Sequence, residues 1–191
     1  MMKIINPFET YSEKKLALFG LFALLIGSLI GSLFNGRFDG IIDLHFVESI
    51  LFLQVLSDNI INTILLTLML YFLGKFINSK TRLIDLLTTT LIARVPFYIL
   101  PVFNLNNQMD KVGKRVIEMA ANQSTESFLL SDTALLLIFT IFSILALVWF
   151  SLLSWNGFKT ATNSKEKKHI IYFIIVVIIT EIISKIVFSQ L

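Results

Sequence analysis

Cysteine is absent from this chain of 191 residues, and charged residues make up only 15% of it. The lack of cysteine excludes disulfides, thiolate metal sites and cysteine nucleophiles. A soluble domain averages about 25% charged residues, so the low charge and a hydrophobic share of 55% indicate a protein that lies in lipid. The sequence also lacks the His-Glu-x-x-His and Gly-x-Ser-x-Gly motifs of hydrolytic enzymes. We therefore expect no enzyme activity, no cofactor and no metal.

The chain contains several long apolar runs. Runs of about 20 apolar residues are candidates for membrane-spanning helices. The sequence predicts an all-α bundle of five spans, at about 16–34, 59–77, 83–103, 133–156 and 169–188. We expect a cytoplasmic juxtamembrane arm over residues 1–15, followed by a single transmembrane domain over residues 16–191.

The segment between the first two spans carries several charges. Its apolar residues recur at helical spacing, which predicts an interfacial amphipathic helix near 43–56. His45 lies among carboxylates, an arrangement that can bind a metal. A single histidine on a wet surface is more often only solvated, and we favour that interpretation.

Small residues recur every four positions in the first span, at Ala23, Gly27 and Gly31. This spacing lets two membrane helices approach closely. It is compatible with packing inside the bundle and with a dimer face, and we favour the first.

The third span is the unusual one, because it contains Asp85, Arg94, Pro96 and Pro101. A charge at bilayer depth is costly and normally faces protein. The prolines predict a kink or unwinding in the second half of the span, since each lacks an N–H donor. Asp85 should lie near the inner surface, on the opposite face from Arg94.

The fifth span contains Glu181 and Lys185. Arg94 and Glu181 each lie about 16 Å into their spans at about 1.5 Å per residue, close to mid-membrane. A guanidinium suits a carboxylate, so we predict an Arg94–Glu181 contact, with Lys185 competing for Glu181. This intramembrane polar network of Arg94, Glu181, Asp85 and Lys185 is either a structural anchor or a path for a solute.

The basic residues predict the orientation. With the N-terminus inside, the inner segments carry ten Lys and Arg residues and the outer segments carry five. Because basic residues concentrate in cytoplasmic loops, we expect the N-terminus inside and the C-terminus outside. Their scatter over short loops does not support nucleic-acid binding.

Several motifs together resemble a known family. They are Asn6-Pro7-Phe8 in the arm, the stretch Trp155–Lys168, and the pieces Arg37–His45 and Leu91–Tyr98. With five spans, this pattern looks like the Yip family of membrane proteins, named for interaction with Ypt/Rab GTPases, and in particular like a bacterial branch found in the inner membrane. In the eukaryotic branch the resemblance would imply vesicle traffic and partner binding by a cytosolic N-terminal region. Here that region has only about 15 residues, and the family supplies no catalytic residues to map.

Two functions follow as hypotheses. The first is a non-enzymatic membrane protein that organises or binds membrane partners, among them the lipid bilayer itself, another membrane protein or a second copy of the chain. The second is a small transporter or channel that uses Arg94, Glu181 and Asp85.

Overall fold

The computed structural model describes residues 2–122 and 130–190. Three parts of the chain lie outside the described residues. They are Met1 in the predicted arm, residues 123–129 between the third and fourth spans, and Leu191 at the end of the predicted domain. Over the described ranges the chain is a bundle of helices. The helices are α1 (Met2–Ile5), α2 (Glu13–Leu33), α3 (Phe52–Ile77), α4 (Leu83–Ala93), α5 (Gln108–Asn122), α6 (Leu130–Thr162) and α7 (Lys168–Phe188).

Five helical segments of the described chain are long and apolar enough to cross a membrane. They are α2, α3, the segment Leu83–Ala121, α6 and α7. The predicted five-span, all-α membrane bundle is therefore confirmed. The third span occupies its centre, with 72% of its most apolar stretch buried, against 11% for α6 and 17% for α7. Helices α6 and α7 instead present apolar residues outward along most of their length, as lipid-facing helices do.

The third span changes helix type at its middle. Helix α4 ends at Ala93, and the chain continues as a 3-10 segment, Val95–Asn107, which contains Pro96 and Pro101. Pro96 cannot donate to the preceding turn, so the α-helical ladder stops just before it. The dihedral angles leave the helical region at Asn104, Leu105 and Asn106, and the chain then enters α5.

The predicted amphipathic helix near 43–56 is wrong over its first part. Strand β1 (Gly36–Arg37) pairs antiparallel with β2 (His45–Phe46), and α3 begins only at Phe52. Asp43 explains part of the difference, because its Oδ1 accepts the Leu44 N–H at 2.9 Å. Such a local bond competes with helix formation. We call residues 34–51 the inserted loop, since Phe38 and Ile41 at its centre are 1% and 0% exposed.

The N-terminal arm packs along α6. The indole Nε1 of Trp149 donates to the Ile4 carbonyl, and the Asn156 amide donates to the Ile5 carbonyl, both at 3.1 Å. Phe8 lies over Gly157, where an added Cβ would come within 2.8 Å of its ring. These contacts supply donors to backbone carbonyls that an apolar surrounding would otherwise leave unpaired.

Candidate functional site

Arg94 lies at the junction between α4 and the 3-10 segment, and its side chain is 0% exposed. Its Nη1 donates to the carbonyl of Ile41 at 2.7 Å, and its Nη2 donates to Asn59 Oδ1 at 3.1 Å. Both acceptors are uncharged. Among the described residues, no carboxylate oxygen lies within 4.0 Å of the guanidinium. The predicted direct Arg94–Glu181 contact is therefore wrong.

Glu181 binds the same peptide group from the other side. Its Oε2 accepts the N–H of Ile42 at 3.1 Å, and the carbonyl that Arg94 binds is that of Ile41. One peptide unit thus lies between the cation and the anion, with its oxygen toward Arg94 and its hydrogen toward Glu181. A peptide carries a dipole of about 3.5 D, so this orientation is favourable to both charges. We call this arrangement the bridging peptide.

The approach of Glu181 requires a glycine in the inserted loop. A Cβ at Gly40 would lie 2.5 Å from Glu181 Oε1 and 2.9 Å from the Cβ of Asp43. A larger residue at position 40 would push the carboxylate away from the Ile42 amide.

Two asparagines of α3 tie the inserted loop to the other helices. Asn62 donates to the Phe38 carbonyl at 2.7 Å, and Ser184 of α7 donates to Asn62 Oδ1 at 2.6 Å. Asn59, which accepts from Arg94, donates to Ser28 of α2 at 3.0 Å. Both asparagines are fully buried. The network therefore joins α2, α3, the third span, α7 and the loop.

Lys185 binds the rim of the inserted loop instead of competing for Glu181. Its Nζ lies 3.1 Å from Asp39 Oδ1 and also bonds to Asp43. Asp39 Oδ2 lies 3.0 Å from Nδ1 of His45, so His45 is a hydrogen-bond partner of Asp39 rather than a freely solvated side chain. In the described part of the chain, no cluster of three or more His, Asp or Glu residues is placed to hold a metal.

The surroundings of Asp39 perturb its titration. Burial raises the pKa of Asp39, but the hydrogen bond and charge of His45 and the nearby Lys185 lower it by more, so that it falls from 3.8 to about 2. An unfolded Asp39 takes up its proton near pH 4, whereas the folded one remains ionised until about pH 2. The stabilisation is complete above pH 4 and is lost as the pH falls toward 2.

We expect Asp39→Asn to lower the free energy of unfolding at pH 7 by about 1 to 2 kcal/mol, allowing for solvent screening of a partly exposed group. The difference from the wild type should shrink between pH 4 and pH 2. Equilibrium unfolding of both proteins in mixed micelles at several pH values measures it. A difference that stays constant over this range would contradict the assignment.

Asp85 lies apart from this network, at the start of α4. Arg82 Nε donates to Asp85 Oδ2 at 2.9 Å, and Nη2 of the same arginine bonds to Glu13. Hydrogen bonds to Asp85 and Glu13 raise the pKa of Arg82 above its ordinary value. The structure therefore does not bring the four predicted polar residues into one cluster. Arg94 and Glu181 share the bridging peptide, Lys185 holds the loop rim, and Asp85 belongs to the opposite end of the bundle.

The small-residue face of α2 is used inside the bundle. A Cβ on Gly27 would come within 2.6 Å of Cδ1 of Tyr98, and a Cβ on Gly31 within 2.7 Å of Val55. Ala23 is partly buried against the same core. The third span and α3 thus occupy this face, as packing within the bundle requires.

The sequence interpretation missed Asn59, Asn62, Ser28 and Ser184. Their signal was present, since two asparagines three residues apart in an apolar span mark one polar helix face. The loop carbonyl and amide of the bridging peptide had no such signal, because every residue has these groups.

Comparison with known proteins identifies a family. The family model described as the Yip1 domain matches residues 5–185. No curated protein and no solved structure matches the chain.

Proposed function

The chain belongs to the Yip family of membrane proteins, and on that premise we propose that it is a non-enzymatic multi-pass protein that binds or organises other membrane components. The observation that supports this is the state of Arg94. Its charge is fully buried and is bound by the inserted loop and by Asn59. A solute path would need such a charge to line an accessible cavity. Here the charge instead holds a loop in the bundle.

One of the cavities that reach the inserted loop supports the same view. It has a volume of about 310 Å³ and is lined by Ile42–Leu44, by Phe97 and Leu100, and by residues of α6. Neither Arg94 nor Glu181 lines it. Arg94 and Glu181 therefore act in folding. The outward apolar faces of the helices, most extensive on α6 and α7, are available to lipids or partners.

Two measurements test this proposal together. The purified chain in sealed vesicles should pass no K⁺, Na⁺, H⁺ or Cl⁻ above the leak of empty vesicles. A photo-crosslinking residue at Ile178, which is 54% exposed on α7, should give a discrete adduct in native membranes. The same residue at the buried Phe173 should give none. Flux that Arg94→Lys abolishes in a folded protein would favour the small transporter or channel instead.

We also propose that the protein lies in the cell membrane with its N-terminus inside and its C-terminus outside. The support is the excess of basic residues at the end of the bundle that holds residues 78–82 and 159–168. Ser79 is exposed at this end, and Ser49 is exposed in the inserted loop at the other.

Because the chain has no cysteine, Ser49→Cys and Ser79→Cys each introduce a single thiol. A membrane-impermeant maleimide should label Ser49→Cys in intact cells, and Ser79→Cys only after permeabilisation. The reverse pattern would overturn the proposed orientation.

A further inference from the structure

An apolar groove lies beneath the N-terminal arm and has a volume of about 430 Å³. Its walls come from four parts of the chain. They are the arm (Ile4, Pro7, Tyr11), the start of α2 (Lys15, Leu16, Phe19), the third span (Ile92, Val95) and α6 (Trp149, Leu153). This volume falls in the range of about 300 to 1,000 Å³ that is typical of small-molecule sites.

The groove runs from the helix ends into the bundle. Lys15 is in the first turn of α2, whereas Ile92 is nine residues past the start of α4, about 14 Å along the helix axis. Leu153 is nine residues before the end of α6, also about 14 Å. One leaflet contributes about 15 Å of hydrocarbon, half of a core of roughly 30 Å. The groove is therefore as deep as one leaflet.

The mouth of the groove is cationic and aromatic. Among the described residues, Lys15 is the only charged one that lines the groove, and it forms no ion pair with any of them. Tyr11 lines the same mouth. A lysine and a tyrosine at the level where a leaflet meets water suit a lipid headgroup.

We propose that this groove binds one acyl chain of an anionic phospholipid, whose phosphate is held at Lys15. The apolar part of the groove accommodates the acyl chain, and the ammonium group of Lys15 complements the negative headgroup. The N-terminal arm covers the acyl chain from outside, because Trp149 and Asn156 hold the carbonyls of Ile4 and Ile5 against α6. This site is separate from the Arg94 network and does not depend on the proposed function.

The two tryptophans provide the test. Trp149 lines the groove, whereas Trp155 packs against Phe158 and Phe173. The Trp155→Phe variant, reconstituted in phosphatidylcholine vesicles, leaves Trp149 as the reporter. Small fractions of phosphatidylglycerol with brominated acyl chains should quench it saturably, and unbrominated phosphatidylglycerol should reverse the quenching. Trp149→Phe, with Trp155 as the reporter, should show only quenching that rises in proportion to the brominated lipid. If Trp155→Phe does not fold, as judged by far-UV circular dichroism, the wild type replaces it. Saturable quenching should then be present in the wild type and absent from Trp149→Phe.

Lys14 offers a matched control, since it is exposed in the same turn but does not line the groove. Lys15→Gln should weaken the apparent affinity for brominated phosphatidylglycerol about fivefold, the effect of one lysine near an anionic headgroup. Lys14→Gln should change it less than twofold. Val95→Phe, which fills the groove, should remove the saturable part.

Three outcomes would overturn the proposal. One is equal quenching of Trp149 by brominated phosphatidylcholine and phosphatidylglycerol, which would mean ordinary lipid contact. Another is an equal effect of Lys14→Gln and Lys15→Gln. The third is saturable quenching that persists in a folded Val95→Phe protein.

Discussion

Arg94→Met will lower the free energy of unfolding by about 3 to 5 kcal/mol, because it leaves buried groups without partners. The carbonyl of Ile41 and Oδ1 of Asn59 both lose their donor. Glu181 keeps the Ile42 amide but loses the cation on the far side of the bridging peptide. Folded proteins are stable by only about 5 to 15 kcal/mol, so the loss should shift the midpoint of the unfolding transition to a lower denaturant concentration. Equilibrium unfolding in mixed micelles, followed by far-UV circular dichroism, measures it.

Arg82→Met is the matched control for Arg94→Met. Arg82 also forms ion pairs, with Asp85 and Glu13, but its side chain is 61% exposed. Exposed ion pairs contribute little to stability because water and salt screen them, so this variant should have nearly the free energy of unfolding of the wild type. Equal losses for the two variants would show that Arg94 does not organise the core.

The bridging peptide also predicts coupling between Arg94 and Glu181, although their side chains do not form an ion pair. We expect the double variant Arg94→Met with Glu181→Gln to be more stable than the sum of the two single changes, by about 0.5 kcal/mol or more. Strict additivity would mean that the peptide between them carries no electrostatic coupling.

Gly27→Ala will also lower the free energy of unfolding strongly, because α2 and the 3-10 segment meet at this glycine. The added methyl would lie 2.6 Å from Cδ1 and 2.7 Å from Cβ of Tyr98. Tyr98 is 4% exposed, and its Cβ is fixed to the backbone, so it cannot turn away. The helices must separate, and overpacking of this kind costs about 1 to 3 kcal/mol. The same unfolding experiment measures the loss.

Gly113→Ala tests whether the loss of stability in Gly27→Ala comes from steric overlap. Gly113 is in α5, where an added Cβ meets nothing within 4 Å. Alanine is favoured over glycine in a helix by about 1 kcal/mol, so this variant should be slightly more stable than the wild type. A Gly27→Ala protein as stable as Gly113→Ala would contradict the close contact with Tyr98.

The prolines and glycines made part of the structure around the site predictable. Pro96 and Pro101 predicted the change of helix type, since a missing N–H acts locally along the chain. Gly27 and Gly31 predicted a close helix contact from their spacing alone. The partner of Arg94 was not predictable in this way, because the backbone carbonyl of a distant loop residue has no signature in the sequence.

The inserted loop is the main difference between prediction and structure. Residues 43–51 have the apolar spacing of a helix, yet the Asp43 bond to the Leu44 amide and the pairing of β1 with β2 leave them as a short strand and irregular loop. Helical periodicity reports which residues could share a face, and it does not include bonds from distant residues. Asn62 and Glu181 supply such bonds, at the Phe38 carbonyl and the Ile42 amide of the loop.

By itself the sequence determined that the chain crosses a membrane five times and that Arg94 must lie inside protein. Both follow from transfer free energies, which depend on the residues of one segment and on the absence of water around it. Only the tertiary structure decided which groups stabilise the charge of Arg94. A charge in the membrane needs a dipole or a counter-charge nearby, and the peptide between Ile41 and Ile42 reached that position through the folding of a loop more than 50 residues away in the chain.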